Sequence, residues 1–152
     1  MLKPILLVED NPNDLELTLI ALSKSQLANQ VIIVRDGAEA LDYLHRRGEY
    51  ASRPAGNPAV VLLDLKLPKV DGLEVLREIR TTTGLRPLPV GMLTSSREEQ
   101  DLVRSYELGV NAYVVKPVDF AEFVRAIADL GIFWAVLNEP PPGSQRYVKP
   151  NK

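Results

Sequence analysis

The amino-acid sequence predicts an α/β domain built on one parallel sheet. Two observations carry that prediction. Five short apolar runs alternate with amphipathic stretches along the chain, and such alternation means parallel strands joined by crossover helices. The runs are short and largely aliphatic, as strands buried on both faces must be.

Ile5-Leu6-Leu7-Val8 reads as a buried strand that stops at Glu9-Asp10. Asn11-Pro12-Asn13-Asp14 is a cluster of turn and cap residues, after which Leu15, Leu19 and Leu22 recur at helical spacing. Val31-Ile32-Ile33-Val34 is a second strand, and Asp36-Gly37 starts a helix reaching about His45. Gly, Pro, Ser and Asn between Gly48 and Pro58 read as a long loop. Ala59 to Leu63 is the central strand, ending at Asp64. Asp71-Gly72 opens a helix with Leu73, Leu76 and Ile79 on one face. Leu88 to Leu93 is a fourth strand, weakened by Pro89 and Gly91 and ending at Thr94. A helix from about Arg97 to Leu108 precedes the strand Ala112 to Val115, which ends at Lys116-Pro117. The last helix starts near Asp119, and Pro140-Pro141-Pro142-Gly143 cannot continue it. The expected organisation is one domain over 1–138 with a Pro-rich tail over 139–152 and no effector domain.

Composition narrows the function. A chain of 152 residues with 45% hydrophobic content can bury a full core. A formal net charge of -2 carries no electrostatic footprint for nucleic acid. The absence of cysteine excludes disulfides and thiolate metal sites. MLKPILLVED turns acidic too early for a secretory signal, and no run has the roughly 20 apolar residues needed to span a bilayer. The expectation is a soluble cytoplasmic protein that binds neither nucleic acid nor membrane.

The polar residues stand where the strands stop: Glu9-Asp10, Asp64, Thr94 and Lys116. Ligands in open α/β sheets bind outside the carboxyl ends of the strands. Three carboxylates gathered there repel one another unless a cation lies between them. Oxygen ligands without His or Cys suit Mg2+, or Mn2+, rather than zinc. A lysine and a small hydroxyl beside the metal would cradle a phosphoryl group, and one carboxylate would serve as nucleophile. Taken alone, Glu9-Asp10 reads equally well as a solvated strand end or a helix cap; the other strand ends give the pair its meaning.

The segments ILLVEDN, VVLLDLKLPKVDG, VGMLTSS and YVVKPV resemble those of response-regulator receiver domains, in the same order, and the likeness runs from about Lys3 to Leu130. The resemblance implies a flavodoxin-like (βα)5 fold with strand order 2-1-3-4-5. It implies that Asp64 is the phosphorylated aspartate and that Asp10 ligates Mg2+, with Glu9 acting through a bound water. It implies a third protein ligand in the backbone carbonyl of Lys66. Thr94 is then the hydroxyl that swings to the phosphoryl group and Lys116 the lysine that pairs with it. Pro117 resembles a proline that often follows a cis bond, and Tyr113 an aromatic rotamer switch on the face of the fourth helix, fifth strand and fifth helix. Such a protein is a phosphoacceptor rather than an enzyme, apart from catalysing its own phosphorylation and dephosphorylation.

Two other classes use related chemistry. Haloacid-dehalogenase-type phosphohydrolases carry a second carboxylate two residues after the nucleophile, where this chain has Lys66. A partner-binding pseudo-receiver would not need the full set of Glu9, Asp10, Asp64, Thr94 and Lys116. Lys66 and Ser96 are candidate tuners of the phosphoryl group, or simply solvated. Tyr113 can equally be a packing residue. His45, the single histidine, reads as a surface or cap residue. Gly91 either leaves room for a neighbour or marks an irregular strand.

The last helix carries the stripe Phe120, Phe123, Val124, Ile127 and Trp134, flanked by Ala126, Leu130, Phe133 and Leu137, with Ile132 and Val136 beyond. An end that is apolar nearly all round implies a covered surface. The expected cover is a second copy, in a homodimer through the fourth helix, fifth strand and fifth helix with Phe133 and Trp134. The long loop and the Phe133-Trp134 extension also resemble small response regulators paired with phytochrome-type histidine kinases, which implies a light-sensing phosphodonor.

Overall fold

The computed structural model describes residues 3–24, 29–116 and 120–132. Five strands, β1 (Ile5–Val8), β2 (Val31–Val34), β3 (Val60–Leu63), β4 (Val90–Thr94) and β5 (Ala112–Val115), alternate with five helices. The helices are α1 (Pro12–Lys24), α2 (Gly37–His45), α3 (Gly72–Thr81), α4 (Glu99–Glu107) and α5 (Phe120–Ile132). All strand pairs are parallel, in the order β2-β1-β3-β4-β5. The expected architecture and strand order are both present.

Side-chain alternation divides the core between the faces of the sheet. Leu6, Val8, Val61, Leu63, Val90 and Met92 point to the face where Leu41 and Leu44 of α2 and Val75, Leu76 and Ile79 of α3 pack. Ile5, Leu7, Val60, Leu62 and Leu93 point to the other, against Leu15, Ala21 and Leu22 of α1 and Phe123 of α5. Strands β1 and β3 have no exposed residue, which places their carboxyl ends between two packed layers.

Helix starts are fixed by side-chain caps. Asp36 accepts a hydrogen bond from Glu39 N at the start of α2, and Asp71 one from Glu74 N at the start of α3. Asn11 accepts from Asn13 N and Asp14 N, with Pro12 as the first helical residue of α1, where its missing N–H is harmless.

Several expected boundaries shift. Strand β4 begins at Val90 rather than Leu88, because Pro89 has no N–H for the ladder, although its carbonyl accepts from Val61 N. Pairing continues unbroken through Gly91, opposite Leu62 on one side and Ala112 on the other, so Gly91 does not mark an irregular strand. Helix α4 starts at Glu99 and ends at Glu107, shorter than the span from Arg97 to Leu108. The loop after α2 contains a 3-10 turn at Gly48–Tyr50. Arg53 staples this loop: its Nε donates to the Tyr43 carbonyl at 2.6 Å and its guanidinium lies 4.2 Å from the Tyr43 ring centre. His45 is partly buried between α2 and α3, with Nε2 3.9 Å from Glu78 Oε1, rather than a free surface residue.

Phe123 of the last helix is buried and Val124 packs beside it. Pro117, Phe133, Trp134, Val136, Leu137 and the tail lie outside the described residues, as do the side chains of Phe120, Ile127, Leu130 and Ile132.

Gly72 shows why the first residue of α3 has no side chain. A Cβ there would stand 2.1 Å from the Asp64 carbonyl oxygen and 2.8 Å from Leu65 Cα. Gly72→Ala is expected to destabilise the fold by about 1–3 kcal/mol through overpacking. Urea unfolding checks this, and wild-type stability would contradict the close approach.

Candidate functional site

Backbone hydrogen bonds carry the sheet one residue past its strands. Glu9 N donates to Val34 O at 3.1 Å, Asp64 N to Val8 O at 3.1 Å, and Lys116 N to Thr94 O at 2.7 Å. Glu9, Asp64 and Lys116 therefore leave the sheet from ordered positions at its carboxyl edge.

Their side chains meet there. Carboxylate oxygens of Glu9, Asp10 and Asp64 all lie within 4.8 Å of one another. Glu9 is 2% exposed and Asp64 9%, whereas Asp10 faces solvent. Lys116 Nζ donates to Glu9 Oε1, to Asp64 Oδ2 at 3.1 Å and to Asp14 Oδ2 at 3.0 Å. An ammonium has three N–H donors, and each has a carboxylate.

Thr94 joins by its backbone, through the Lys116 N–H, while its buried hydroxyl accepts from Ser96 N at 3.1 Å. Lys66 contributes a long contact, its N–H 3.4 Å from Asp64 Oδ1, and its residue is exposed. Tyr113 OH donates to the Ser96 carbonyl at 3.2 Å, and Ser96 Oγ donates to Asp101 Oδ2 at 2.5 Å. Ser96 thus links Thr94, Tyr113 and the first turn of α4. An open cleft of about 410 Å3 lies beside Asp10 and Lys66, lined also by Asp71 and Asp101.

Burial and the hydrogen bond to Asp64 push the Glu9 carboxyl up to about 7, against the opposing pull of Lys116. Burial works against the Lys116 ammonium, yet its hydrogen bond to Glu9 and the charge of Asp64 hold it above the ordinary lysine range. Four carboxylates, Glu9, Asp10, Asp14 and Asp64, surround one ammonium that is 10% exposed. That surplus of negative charge, carried entirely on oxygen, fits a hard divalent cation held by Glu9, Asp10 and Asp64.

All of the expected residues lie in this region. Glu9, Asp10, Asp64 and Lys116 meet through their side chains, Thr94 and Lys66 through backbone contacts, and Tyr113 one step away through Ser96. Sequence reasoning missed Asp14 and Asp101. Asp14 looked like one more cap residue. Yet helical side chains tilt toward the N-terminus, and the N-terminus of α1 lies at the carboxyl edge. A carboxylate in that first turn was a readable signal. Asp101 had none, since it depends on how α4 lies against Ser96.

The chain is similar to known proteins over most of its length. The family model for the response regulator receiver domain matches residues 5–128. Response regulator Rcp1 of Synechocystis sp. is 42% identical over 132 residues, covering 87% of this chain and 88% of its own. A crystal structure of Mn2+-bound Rcp1 aligns with a TM-score of 0.83 at 40% identity, covering 91% of this chain and 99% of that one. The bacteriophytochrome response regulator RtBRR is 74% identical with a TM-score of 0.77, over 95% of this chain and 87% of its own. The phosphorylated cyanobacterial phytochrome response regulator RcpA has a TM-score of 0.85 at 40% identity, over 93% of this chain and 99% of that one.

The raised pKa of Glu9 has a measurable consequence. The folded state holds the Glu9 proton more tightly than the unfolded chain, whose glutamate titrates near 4.5. In chelator-treated protein, the Glu9 contribution to stability is present below that value and lost as pH rises through about 7. Urea midpoints measured across this window should fall with pH, and Glu9→Gln should flatten the slope. An unchanged slope in the variant would contradict the assignment.

Proposed function

The chain belongs to the response regulator receiver domain family, and from that premise we propose that Asp64 accepts a phosphoryl group from a histidine kinase. The observation that carries this reading is the placement of Asp64: a buried carboxylate at the end of β3, bonded to Lys116 and grouped with Glu9 and Asp10. The phosphorylated state of RcpA and the Mn2+-bound state of Rcp1 support it by relationship.

In the transfer, an Asp64 oxygen attacks phosphorus. The P–N bond of the donor's phosphoimidazole breaks, its electron pair stays on the imidazole nitrogen, and a P–O bond to Asp64 forms. Asp10, Asp64 and the Lys66 carbonyl, with Glu9 through a bound water, would hold a divalent cation, expected to be Mg2+, which when bound would neutralise charge on the phosphoryl oxygens. Lys116, bonded to Glu9 and Asp64, would donate to a phosphoryl oxygen on Asp64. Thr94 would donate its hydroxyl hydrogen to the same group, and a rotation of its side chain toward that group would release its bond from Ser96 N. That release acts on the residue whose carbonyl holds Tyr113 and whose hydroxyl holds Asp101. The phosphoryl group is thereby coupled to β5 and to α4. Attack by water on the phosphorus then breaks the P–O bond to Asp64, releases inorganic phosphate and returns Asp64 to the carboxylate.

The same reading extends to partners. The similarity to RtBRR and RcpA supports a phytochrome-type kinase as the phosphodonor. Leu102, Val103 and Tyr106 are exposed apolar residues on α4, in keeping with a homodimer through α4, β5 and α5. Among the described residues no helix is long and apolar enough to cross a membrane, in keeping with a cytoplasmic location.

Incubation with acetyl phosphate and Mg2+, read by intact mass, should add one phosphoryl group to the wild-type chain and none to Asp64→Asn. An adduct that persists on the variant would refute the assignment. Asp10→Asn should weaken Mg2+ binding about tenfold or more, through loss of a direct ligand; equilibrium dialysis measures it. Light-scattering mass with and without a phosphoryl mimic tests the dimer. A monomer in both states at micromolar concentration would exclude it.

A further inference from the structure

We propose that Asp14 is a positioning residue for Lys116, and so for phosphoryl transfer at Asp64; the proposal rests on the phosphoacceptor reading above. Asp14 Oδ2 lies 3.0 Å from Lys116 Nζ, as close as Asp64 Oδ2 at 3.1 Å. The contact spans 102 positions in the chain and joins α1 to the end of β5.

Asp14 is itself held. Its backbone N–H donates to Asn11 Oδ1 at 3.0 Å, and its carbonyl accepts from Thr18 Oγ1 at 2.9 Å, with Thr18 fully buried. The carboxylate is therefore presented from a capped helical turn rather than from a mobile loop.

The three partners of Lys116 differ in what transfer does to them. Asp64 becomes an acyl phosphate and gives up its carboxylate. Glu9 belongs to the acidic trio and shares its charge with whatever cation that trio holds. Asp14 stands outside the trio and outside the bond that changes. It is the one anchor whose charge is the same before and after transfer. With Asp14 in place, two of the ammonium's three donors stay tethered while the third follows the oxygen on Asp64. Without it, one donor turns to water and the ammonium loses part of its orientation, which is the quantity that preorganised electrostatic stabilisation depends on. The Asp14 side chain is 33% exposed, so solvent screening keeps the effect modest.

The test follows adduct formation from acetyl phosphate and Mg2+ on the full chain by intact mass. Asp14→Asn should slow the initial rate about threefold to fivefold, the size expected for one oriented polar contact. Asp14→Glu should recover most of the rate, because it restores the charge. In a Lys116→Ala background, expected to retain slow adduct formation, Asp14→Asn should have almost no further effect, since the contact it removes is already gone. A purely structural role would slow both backgrounds alike. An unchanged rate in Asp14→Asn, or equal slowing on Lys116→Ala, overturns the proposal while leaving the phosphoacceptor reading intact. No adduct on the wild-type chain overturns both.

Discussion

The ammonium of Lys116 meets carboxylates that arrive on three separate segments: Glu9 from the end of β1, Asp14 from α1 and Asp64 from the end of β3. These acids, together with Asp10, would repel one another at such distances in a poorly solvated site. One buried cation permits their approach, but it does not balance four negative charges. The remaining deficit suits the site to a second cation, as the proposed phosphoryl transfer requires. Burial, and after it the hydrogen bond to Asp64, pushes the Glu9 carboxyl up to about 7.

The sheet makes this arrangement possible. Parallel strands present all their carboxyl ends on one edge, and the two hydrophobic layers keep that edge rigid. Close packing extends to the loops around the site. Gly72 lets α3 approach the Asp64 carbonyl, and Gly37 lets α2 meet the Val70 carbonyl, where a Cβ would stand only 1.7 Å away. Gly37 N also donates to Pro68 O, tying the segment after Asp64 to α2. The loop beside the nucleophile is thus braced from two helices. On the other side of the site, Ser96 concentrates the contacts of Thr94, Tyr113 and Asp101 in a single residue. Movement of one hydroxyl there can reach two elements of the surface.

Much of this was legible from the residues. Apolar runs located all five strands: β1, β3 and β4 are buried throughout, which leaves little choice of composition, whereas β2 and β5 at the sheet edges are apolar though only partly buried. The polar residue after each run located Glu9, Asp10, Asp64, Thr94 and Lys116. What the sequence concealed depended on tertiary placement. Asp14 lies in the first turn of α1, where its place at the carboxyl edge was readable, but its partner Lys116 was not, because the contact spans 102 positions. Arg53 lay in a stretch that read as an unstructured loop, whereas its guanidinium binds the end of α2. The start of β4 was misplaced by two residues because Pro89 fits the apolar pattern yet lacks the donor that a ladder requires. His45 was judged by its place before a loop, although α3 covers it.

The proposed transfer requires that this cluster of charges single out Asp64, among several neighbouring carboxylates, as the one that takes the phosphoryl group. Borohydride reduction of the acyl phosphate followed by peptide mass mapping tests it most directly, since reduction converts an acyl-phosphorylated aspartate to homoserine. The account predicts a single reduced position at Asp64. Reduction at Glu9, Asp10 or Asp14 instead would contradict it.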